Sequence, residues 1–297
     1  MPRSDNSPVD VAVLGHFARD KIIVNGVESI ASGGSVYYGA LALRRLGLRV
    51  VIITRLARED RPRLAELTAE GIRVYARSAH ETSGIANTYL TSDMDRRLTR
   101  PLGFAGPFRL RDLPRLTPRL WLVGPLMAGE VDLAFVRALA ARAPVALDAQ
   151  GFVRVREGDD LVFRDWADKK QGLPLVHYLK VDQAEAEVLT GLTDRHAAAR
   201  TLESWGVQEV VLTHAEGVLV HAEGKDYEAA FTPRSLAGRT GRGDTCFAAY
   251  LARRRSAAPR DACDFAARIT SLKLETPGAF VGLSSSDDQA NRLRNIV

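Results

Sequence analysis

A glycine-punctuated turn that leads directly into a helix-forming segment is the feature that most constrains how this chain can fold. It lies at Leu236 to Arg255, LAGRTGRGDTCFAAYLARRR. Gly241 and Gly243 flank Arg242 and allow a tight backbone path, after which the first amide groups of the helix point outward without intrahelical partners. Because such a helix start carries partial positive charge, it favours the binding of an anion such as phosphate.

Asp244 stands in the first turn of that helix, beside the predicted anion site. The spacing from Gly238 to Gly243 resembles a Walker A loop, but Asp244 takes the place of its lysine, so a P-loop NTPase is excluded. A carboxylate here can accept the proton of a substrate hydroxyl while Gly241, Arg242 and Gly243 form an anion hole for the transferred phosphoryl group. The pattern therefore predicts a small-molecule kinase. The alternative is a plain turn in which the aspartate only favours the helix dipole.

Two segments of the chain resemble the signatures of the ribokinase-like (PfkB) family of carbohydrate and nucleoside kinases. TGRGDTCFAAYLA is similar to the C-terminal signature, and GGSVYYGALALRRLG, which opens with Gly33 and Gly34, is similar to the N-terminal one. The resemblance covers nearly the whole chain and implies an α/β fold of three layers, with a central, mostly parallel sheet and a small β lid. It also implies ATP and Mg²⁺ as cofactors. The phrase LDAQGFVRV further resembles the myo-inositol kinase branch of the family.

The hydrophobic pattern along the chain agrees with a doubly wound sheet. Short β-branched runs such as Val9 to Leu14 and Val50 to Thr54 are typical of buried parallel strands, and they alternate with amphipathic helical segments. Residues 1–297 are predicted to form one domain. Segments at about 18–32 and 82–104 break the alternation and predict two pieces of a lid, whereas residues 154–171 are expected to form a surface excursion.

Residues suited to binding the acceptor substrate lie in the lid segments, at the glycine pair and beyond the end of a predicted strand. The family resemblance implies that Asp20 binds substrate hydroxyls. It also indicates that Tyr38 replaces a usual asparagine, which leaves the substrate open. Polar side chains of a long hairpin can equally be solvated, and this alternative stays open for two of the candidates, Asn87 and Arg97. The acceptor candidates are Asp20, Gly33, Gly34, Tyr38, Asn87, Arg97, Asp148 and Gln150.

Residues suited to binding the phosphoryl donor follow later strands. Asp182 and Glu185 stand about one helical turn apart and resemble the family's NxxE motif, which implies that Glu185 organises Mg²⁺. A capping aspartate followed by a solvated glutamate is the alternative. The donor candidates are Lys180, Asp182, Glu185, Thr213, Gly217 and Thr240. Because Gly238 stands where many relatives carry an aspartate, we also expect little stimulation by K⁺.

Charge and cysteine content limit the classes of partner. The formal net charge is +5, but Arg253 to Arg255 is the only tight basic run and is expected to end a helix, so nucleic acid is not predicted as a partner. Two cysteines, six scattered histidines and the absence of a signal-like or membrane-spanning segment favour a cytoplasmic protein without structural zinc or membrane contact. Two copies could associate through the lid.

Four functions remain to be weighed. The leading hypothesis is ATP-dependent phosphorylation of a small carbohydrate or polyol, with a nucleoside kinase as its nearest rival because one scaffold can serve both. A non-catalytic sugar or nucleotide sensor is disfavoured because it has no need of the base Asp244. A dinucleotide-dependent oxidoreductase is disfavoured because Gly241 and Gly243 lack a third glycine at the required spacing, and because their motif closes the chain rather than opening it.

Overall fold

The computed structural model describes residues 9–24, 26–89 and 97–283. The strands are β1 (Val11–Leu14), β2 (Ala18–Val24), β3 (Val27–Gly33), β4 (Val50–Ala57), β5 (Arg73–Ala79), β6 (Gly84–Tyr89), β7 (Arg97–Gly103), β8 (Leu120–Val123), β9 (Val145–Asp148), β10 (Arg154–Glu157), β11 (Asp160–Phe163), β12 (Tyr178–Asp182), β13 (Glu209–Thr213), β14 (Gly217–Ala222) and β15 (Lys225–Ala230). The helices are α1 (Tyr38–Arg45), α2 (Ala65–Ala69), α3 (Leu133–Ala140), α4 (Gln150–Val153), α5 (Lys169–Gly172), α6 (Gln183–Thr190), α7 (Arg195–Ser204), α8 (Arg242–Arg254) and α9 (Pro259–Leu274).

Nine strands form a central sheet in the order β15-β14-β13-β12-β9-β8-β1-β4-β5. Neighbouring strands are parallel from β5 to β13 in this order, and the pairs β13–β14 and β14–β15 are antiparallel. The innermost strands, such as β1 with its sequence VAVL, are buried at every position because helices cover both faces. The prediction of an α/β fold around a mostly parallel sheet is confirmed.

Alternate residues of β1 face two separate hydrophobic layers. Val11 and Val13 belong to a cluster built with α1, α8 and α9, whereas Ala12 and Leu14 belong to a cluster built with α3, α6 and α7. This division follows from the strand period of two residues, which sends successive side chains to opposite faces of the sheet. The result is the predicted three-layer arrangement, with the loops at the carboxyl ends of the strands left to form a site.

A second sheet of four strands, ordered β3-β2-β6-β7, stands apart from the central one. The two segments expected to form a lid meet here, because β2 pairs in parallel with β6 through Lys21–Val24 and Ala86–Tyr89. β2 begins four residues after β1 ends, at Ala18, so the lid is joined to the central sheet by a short connection. The strand β3 forms one edge of this sheet.

The structure completes or corrects three local expectations. Residues 154–171, for which the sequence predicts a surface excursion without a defined structure, contain a β-hairpin, β10–β11, and the short helix α5. The helix expected over 63–71 begins as a 3₁₀ segment at Arg58–Leu64 that includes Pro62. Ser35 precedes the helix-forming segment Val36 to Leu46 and is a fair N-cap by residue type. However, helix α1 begins at Tyr38 without a side-chain cap, so Ser35 does not act as that N-cap. Within the described ranges, no helix combines the length and apolar character needed to cross a bilayer.

Candidate active site

A cavity of about 340 Å³ opens where the carboxyl ends of the central strands meet the start of α8 and the lid sheet. Such a position is the usual ligand site of open parallel sheets. Its lining residues are Asp20, Gly34, Ser35, Tyr38, Ile85, Asn87, Leu126, Asp148, Gln150, Arg154, Lys180, Asp182, Thr213, Arg239, Thr240, Gly241, Arg242, Gly243 and Asp244. The cavity therefore combines several carboxylates with several cationic side chains.

Asp244 lies in the first turn of α8, with its side chain at the cavity wall. The Ser35 hydroxyl donates a hydrogen bond to Oδ1 of Asp244, which fixes the orientation of the carboxylate. Burial raises the pKa of Asp244, as does the nearby Asp148 carboxylate, while the Ser35 bond and the Lys180 ammonium act in the opposite direction. An aspartate with a raised pKa that is held in one orientation is suited to accept a proton.

The turn before α8 has the geometry of an anion hole. Gly241 caps the helix with φ +80°, a left-handed conformation that favours glycine. A Cβ on Gly241 would lie 2.3 Å from Cγ of Tyr38, so a side chain is also excluded by contact. The residues at the start of α8, Gly241 to Asp244, line the cavity, and the amide of Arg242 donates to the carbonyl oxygen of Arg239 (3.2 Å). The guanidinium of Arg242, which lies 5.9 Å from the Phe231 ring centre, adds positive charge there.

Lys180 joins two carboxylates at the base of the cavity. Its Nζ lies 3.2 Å from Oδ1 of Asp148 and 3.3 Å from Oε2 of Glu185, and its side chain is 6% exposed. Burial opposes the charged form, but the Asp148 and Glu185 carboxylates hold the pKa of Lys180 above its usual value. The Cε of this lysine would be 3.2 Å from a Cβ at Gly243, which places it close to the anion hole.

Glu185 and Asp182 form a capping box at the start of α6. Glu185 N donates to Oδ1 of Asp182 (2.8 Å), and Asp182 N donates to Oε2 of Glu185 (2.7 Å). Burial raises the pKa of Glu185, and Lys180 offsets this effect. The Oε1 atom of Glu185 is buried without a hydrogen-bond partner among the described residues.

This unpaired oxygen is compatible with Mg²⁺, which prefers oxygen ligands and usually keeps several waters. Over the described ranges no cluster of three metal-ligating side chains occurs. The chain could therefore supply only one or two of the ligands itself, and phosphate oxygens and water would have to complete the shell.

The lid contributes a second polar group of residues. Asp20 is 5% exposed, and its Oδ1 accepts a hydrogen bond of 2.9 Å from the amide of Ile85 on the paired strand. A Cβ on Gly33 would lie 2.4 Å from Oδ2 of Asp20, so glycine at that position makes room for the carboxylate. Oδ1 of Asn87 accepts a bond of 2.9 Å from Thr99. Lid strands thus present an acid and an amide to the cavity.

Most of the predicted site residues line the one cavity: Asp20, Gly34, Tyr38, Asn87, Asp148, Gln150, Lys180, Asp182, Thr213, Thr240 and the run Gly241 to Asp244. Gly33 and Glu185 lie just behind it, against Asp20 and Lys180 respectively. Gly217 does not line it. A Cβ there would lie 2.4 Å from the carbonyl oxygen of Ala229, so this glycine is required by the close approach of β15. The side chain of Arg97 lies outside the described part of the chain.

Several lining residues were not predicted from the sequence as site residues. Ser35 was assigned to helix capping, and Arg154 belonged to a segment expected to lie on the surface. Arg154 opens the hairpin β10–β11, and its guanidinium stacks 6.0 Å from the Phe163 ring centre. The phrase LDAQGFVRV contains this arginine, and that is the one sequence signal that could have drawn attention to it.

The family model of the pfkB family carbohydrate kinases matches residues 29–285. The chain belongs to this family. The match includes both glycine-rich segments and Asp244, so the cavity described above is the site expected of a family member. No curated protein matches the sequence.

Solved structures of kinases are similar to this pfkB-family chain. One is a pyrophosphate-dependent kinase of the ribokinase family complexed with a pyrophosphate analogue and myo-inositol, at 37% identity and TM-score 0.86 over 91% of this chain and 97% of the other. Another is a pyrophosphate-dependent myo-inositol-1 kinase converted into a myo-inositol-3 kinase, at 34% identity and TM-score 0.85 over 96% and 98%. Ribokinase of Arabidopsis thaliana, complexed with ribose and ATP, has 19% identity and TM-score 0.76 over 97% and 99%, and shows the fold alone.

Proposed function

We propose that this carbohydrate kinase transfers a phosphoryl group from pyrophosphate to one hydroxyl of myo-inositol or a closely related cyclic polyol. The observation that carries the proposal is one small cavity that is lined together by Asp244, by lid residues and by a group of cations. The similar pyrophosphate-dependent structures support the same donor and acceptor. The sequence favoured ATP as donor, and this expectation is replaced by pyrophosphate in the proposal.

The acceptor side of the cavity suits a compound rich in hydroxyl groups. Tyr38 lines the same cavity as Asp20 and Asp244, and burial together with these two carboxylates raises the pKa of its phenol. Carboxylates, an amide and a phenol can each accept or donate hydrogen bonds to a ring of hydroxyls. Among the described lining residues Tyr38 is the only aromatic side chain, so they offer a nucleobase no pair of rings between which to stack.

The donor side suits a compact, highly charged anion. Arg154, Lys180, Arg239 and Arg242 all line the cavity and bring fixed positive charge to the start of α8. Its volume of about 340 Å³ lies near the lower end of the range of ligand pockets, roughly 300–1,000 Å³. The sequence TPGA at Thr276 to Ala279 resembles the loop that borders the adenine pocket in the family, but these residues are not among the described lining residues of the cavity. Binding energy for the donor is therefore concentrated on phosphates.

The reaction follows from this arrangement. Asp244 accepts the proton of the attacking hydroxyl, and the hydroxyl oxygen forms a bond to the phosphorus that is transferred. The bond between this phosphorus and the bridging oxygen of pyrophosphate breaks, and the bridging oxygen becomes part of the inorganic phosphate that leaves. The amides of Gly241 to Gly243 and the Arg242 side chain bind the phosphoryl group during transfer. Lys180 and Arg154 offset the charge of the leaving phosphate. Glu185 would be the residue that helps to hold Mg²⁺, and the ion would supply further charge neutralisation.

A donor and acceptor panel tests the proposal. Purified protein is incubated with Mg²⁺, with pyrophosphate or ATP as donor, and with myo-inositol, ribose, fructose or adenosine as acceptor. Phosphorylated product is measured directly. We expect the highest kcat/KM with pyrophosphate and myo-inositol. Greater efficiency with ATP would contradict the donor, and greater efficiency with adenosine would replace the polyol kinase by a nucleoside kinase.

We also propose a cytoplasmic location and association of two copies through the lid. Cys246 and Cys263 are both buried and unbridged, as expected in a reducing compartment. The edge strand β3 carries exposed apolar side chains, with Val27 at 72% and Ile30 at 41% exposure. Edge strands of this kind favour pairing with another chain. Light scattering of the wild type and of a Val27→Lys variant would test the association.

A further inference from the structure

A buried lysine behind the anion hole is not used by the reaction described above. Lys273 lies in the last turn of α9 and is 1% exposed. Across the part of the chain that the structure describes, no carboxylate forms an ion pair with its ammonium group. Burying an ammonium group without a carboxylate partner carries a considerable desolvation cost. A residue with this cost calls for a compensating role.

Lys273 contacts the loop before α8 and the ring of Tyr38 on α1. Its Nζ donates a hydrogen bond of 2.5 Å to the carbonyl oxygen of Gly238, and it lies 5.8 Å from the ring centre of Tyr38. The amide of Gly238 in turn donates to the carbonyl of Leu274 (2.9 Å). The loop is thus fastened to the end of α9 through both polar groups of one residue. A Cβ on Gly238 would lie 1.8 Å from the carbonyl oxygen of Thr276, so no side chain fits between them.

The charge of this lysine reaches the reacting groups. The Asp244 carboxylate acts to raise the pKa of Lys273. The ring of Tyr38 lies close both to this lysine and to Gly241. The loop fastened at Gly238 continues into Gly241 to Gly243, whose amides bind the transferred phosphoryl group in the proposed reaction. Displacement of the loop would therefore misplace those amides, and loss of the charge would weaken their attraction for an anion.

We propose that Lys273 is a positioning residue of the anion hole. Its ammonium group holds the Gly238–Gly243 loop against α9 and provides a fixed positive charge behind it, so that no diffusible monovalent cation is needed there. The inference rests on the proposed function, because it assumes that a phosphoryl donor binds at this loop. Lys273 lies outside both glycine-rich signature segments and reaches the loop from the neighbouring helix α9.

Binding and rescue experiments test this role. Titration calorimetry with pyrophosphate and, separately, with ATP first establishes which donor the wild type binds. Lys273→Met, which is similar in length and neutral, should weaken binding of that donor by about tenfold, equivalent to about 1.4 kcal/mol, and should lower kcat, because a positive charge behind the anion hole is lost. Lys169→Met, which removes a partly buried lysine of the remote helix α5, should leave both unchanged.

Lys273→Ala provides a readout that a purely structural lysine would not give. Ammonium or methylammonium should restore kcat severalfold in this variant at constant ionic strength, while choline should not. The same salts should not affect Lys273→Met, whose side chain fills the space. Unchanged donor affinity and kcat in Lys273→Met would overturn the role of the charge even if Lys273→Ala does not fold. A wild type that binds ATP but not pyrophosphate would instead overturn the proposed donor and leave the comparison of variants intact.

Discussion

Ser35 and Asp244 are separated by 209 residues in the chain, yet the Ser35 hydroxyl donates a hydrogen bond to Oδ1 of Asp244. Ser35 packs directly against Gly124. A Cβ on Gly124 would lie only 2.3 Å from the Cβ of Ser35, so glycine at position 124 makes room for the serine. The N-terminal glycine-rich segment and the start of α8 therefore meet at Asp244, the proposed general base. This contact both orients the carboxylate and favours its ionised form.

Ser35→Ala should shift the pH profile of the enzyme. The Ser35 bond lowers the pKa of Asp244 against the raising effects of burial and Asp148, so its removal should raise that pKa further. Because a general base must be ionised, the acid limb of kcat/KM should move to higher pH. The exposed lid serine Ser29 provides a control, since Ser29→Ala should leave the profile unchanged. An unshifted acid limb in Ser35→Ala would contradict the coupling.

Asp244→Asn should abolish proton removal while it preserves the shape of the side chain. We expect kcat to fall by roughly 10²- to 10⁴-fold, the usual contribution of a general base. Donor affinity and the midpoint of thermal unfolding should change little, because an amide can still accept the Ser35 bond. Kinetics and thermal denaturation of the same preparation decide the matter. A stable variant with near-normal turnover would exclude Asp244 as the base.

Gly241→Ala should cost more stability than its backbone angle alone explains. Gly191, at the end of α6, provides a matched control because its φ is +75° against +80° for Gly241, and a Cβ there would meet nothing within 4 Å. Gly191→Ala should cost about 1 kcal/mol of unfolding free energy. Gly241→Ala should cost about 3 kcal/mol because overlap with Tyr38 is added. Urea denaturation measures both, and equal losses would refute the contact.

The requirement for Mg²⁺ should depend on Glu185. Glu185→Gln keeps a side-chain oxygen for the α6 capping box but removes the charge at the unpaired Oε1 atom. We expect the Mg²⁺ concentration that gives half-maximal activity to rise by about tenfold or more. Glu187→Gln, on the exposed face of the same helix, is the control. An unchanged Mg²⁺ titration would show that the metal is held elsewhere.

Activity and stability should respond to alkaline pH in opposite directions through Lys273. Burial lowers the pKa of Lys273 to about 8, with Asp244 on α8 acting to raise it, and the raised pKa of the Tyr38 phenol on α1 keeps that ring neutral in this range. Activity should fall as pH rises through about 8. Between that value and the unfolded pKa of about 10.4, the unfolded chain binds more protons, so the contribution of this group to stability rises with pH.

Comparison with Lys273→Met isolates that contribution from the other titrating groups. The difference in unfolding free energy between wild type and variant should shift in favour of the wild type above pH of about 8. The alkaline loss of kcat should be absent from the variant. Parallel loss of activity and stability in the wild type alone would indicate a structural lysine instead.

Much of the fold could be predicted because local patterns determine it. The apolar runs at Val9 to Leu14 and Val50 to Thr54 predict strands, and the strands β1 and β4 form there with bounds that differ by two or three residues. Pairing of the lid segments could be inferred because neither segment fits a crossover helix, and β2 pairs with β6 as expected. Asp244 could be located because the glycine-rich turn and the following helix are contiguous in sequence.

The remaining features depend on contacts between distant parts of the chain. Ser35 satisfies every local criterion for a helix cap, but its hydroxyl is taken by a residue on α8. Arg154 lies in a charged stretch whose pattern predicts a surface, and the hairpin that places it in the cavity wall has no strong strand signal. Lys273 is a charged residue in an amphipathic helix, where exposure is the ordinary expectation. Only tertiary packing buries it.

The contact between Tyr38 and Gly241 has a consequence for how the enzyme could change its substrate. Tyr38 forms part of the wall against which the acceptor would bind, while Gly241 begins the loop that would hold the phosphoryl group. The aromatic ring fits only while its neighbour has no side chain, and Lys273 lies on the same ring. Replacing Tyr38 to admit a new alcohol would remove support from the catalytic loop. Selectivity and rate in this molecule are thus expected to evolve together, through paired substitutions rather than single ones.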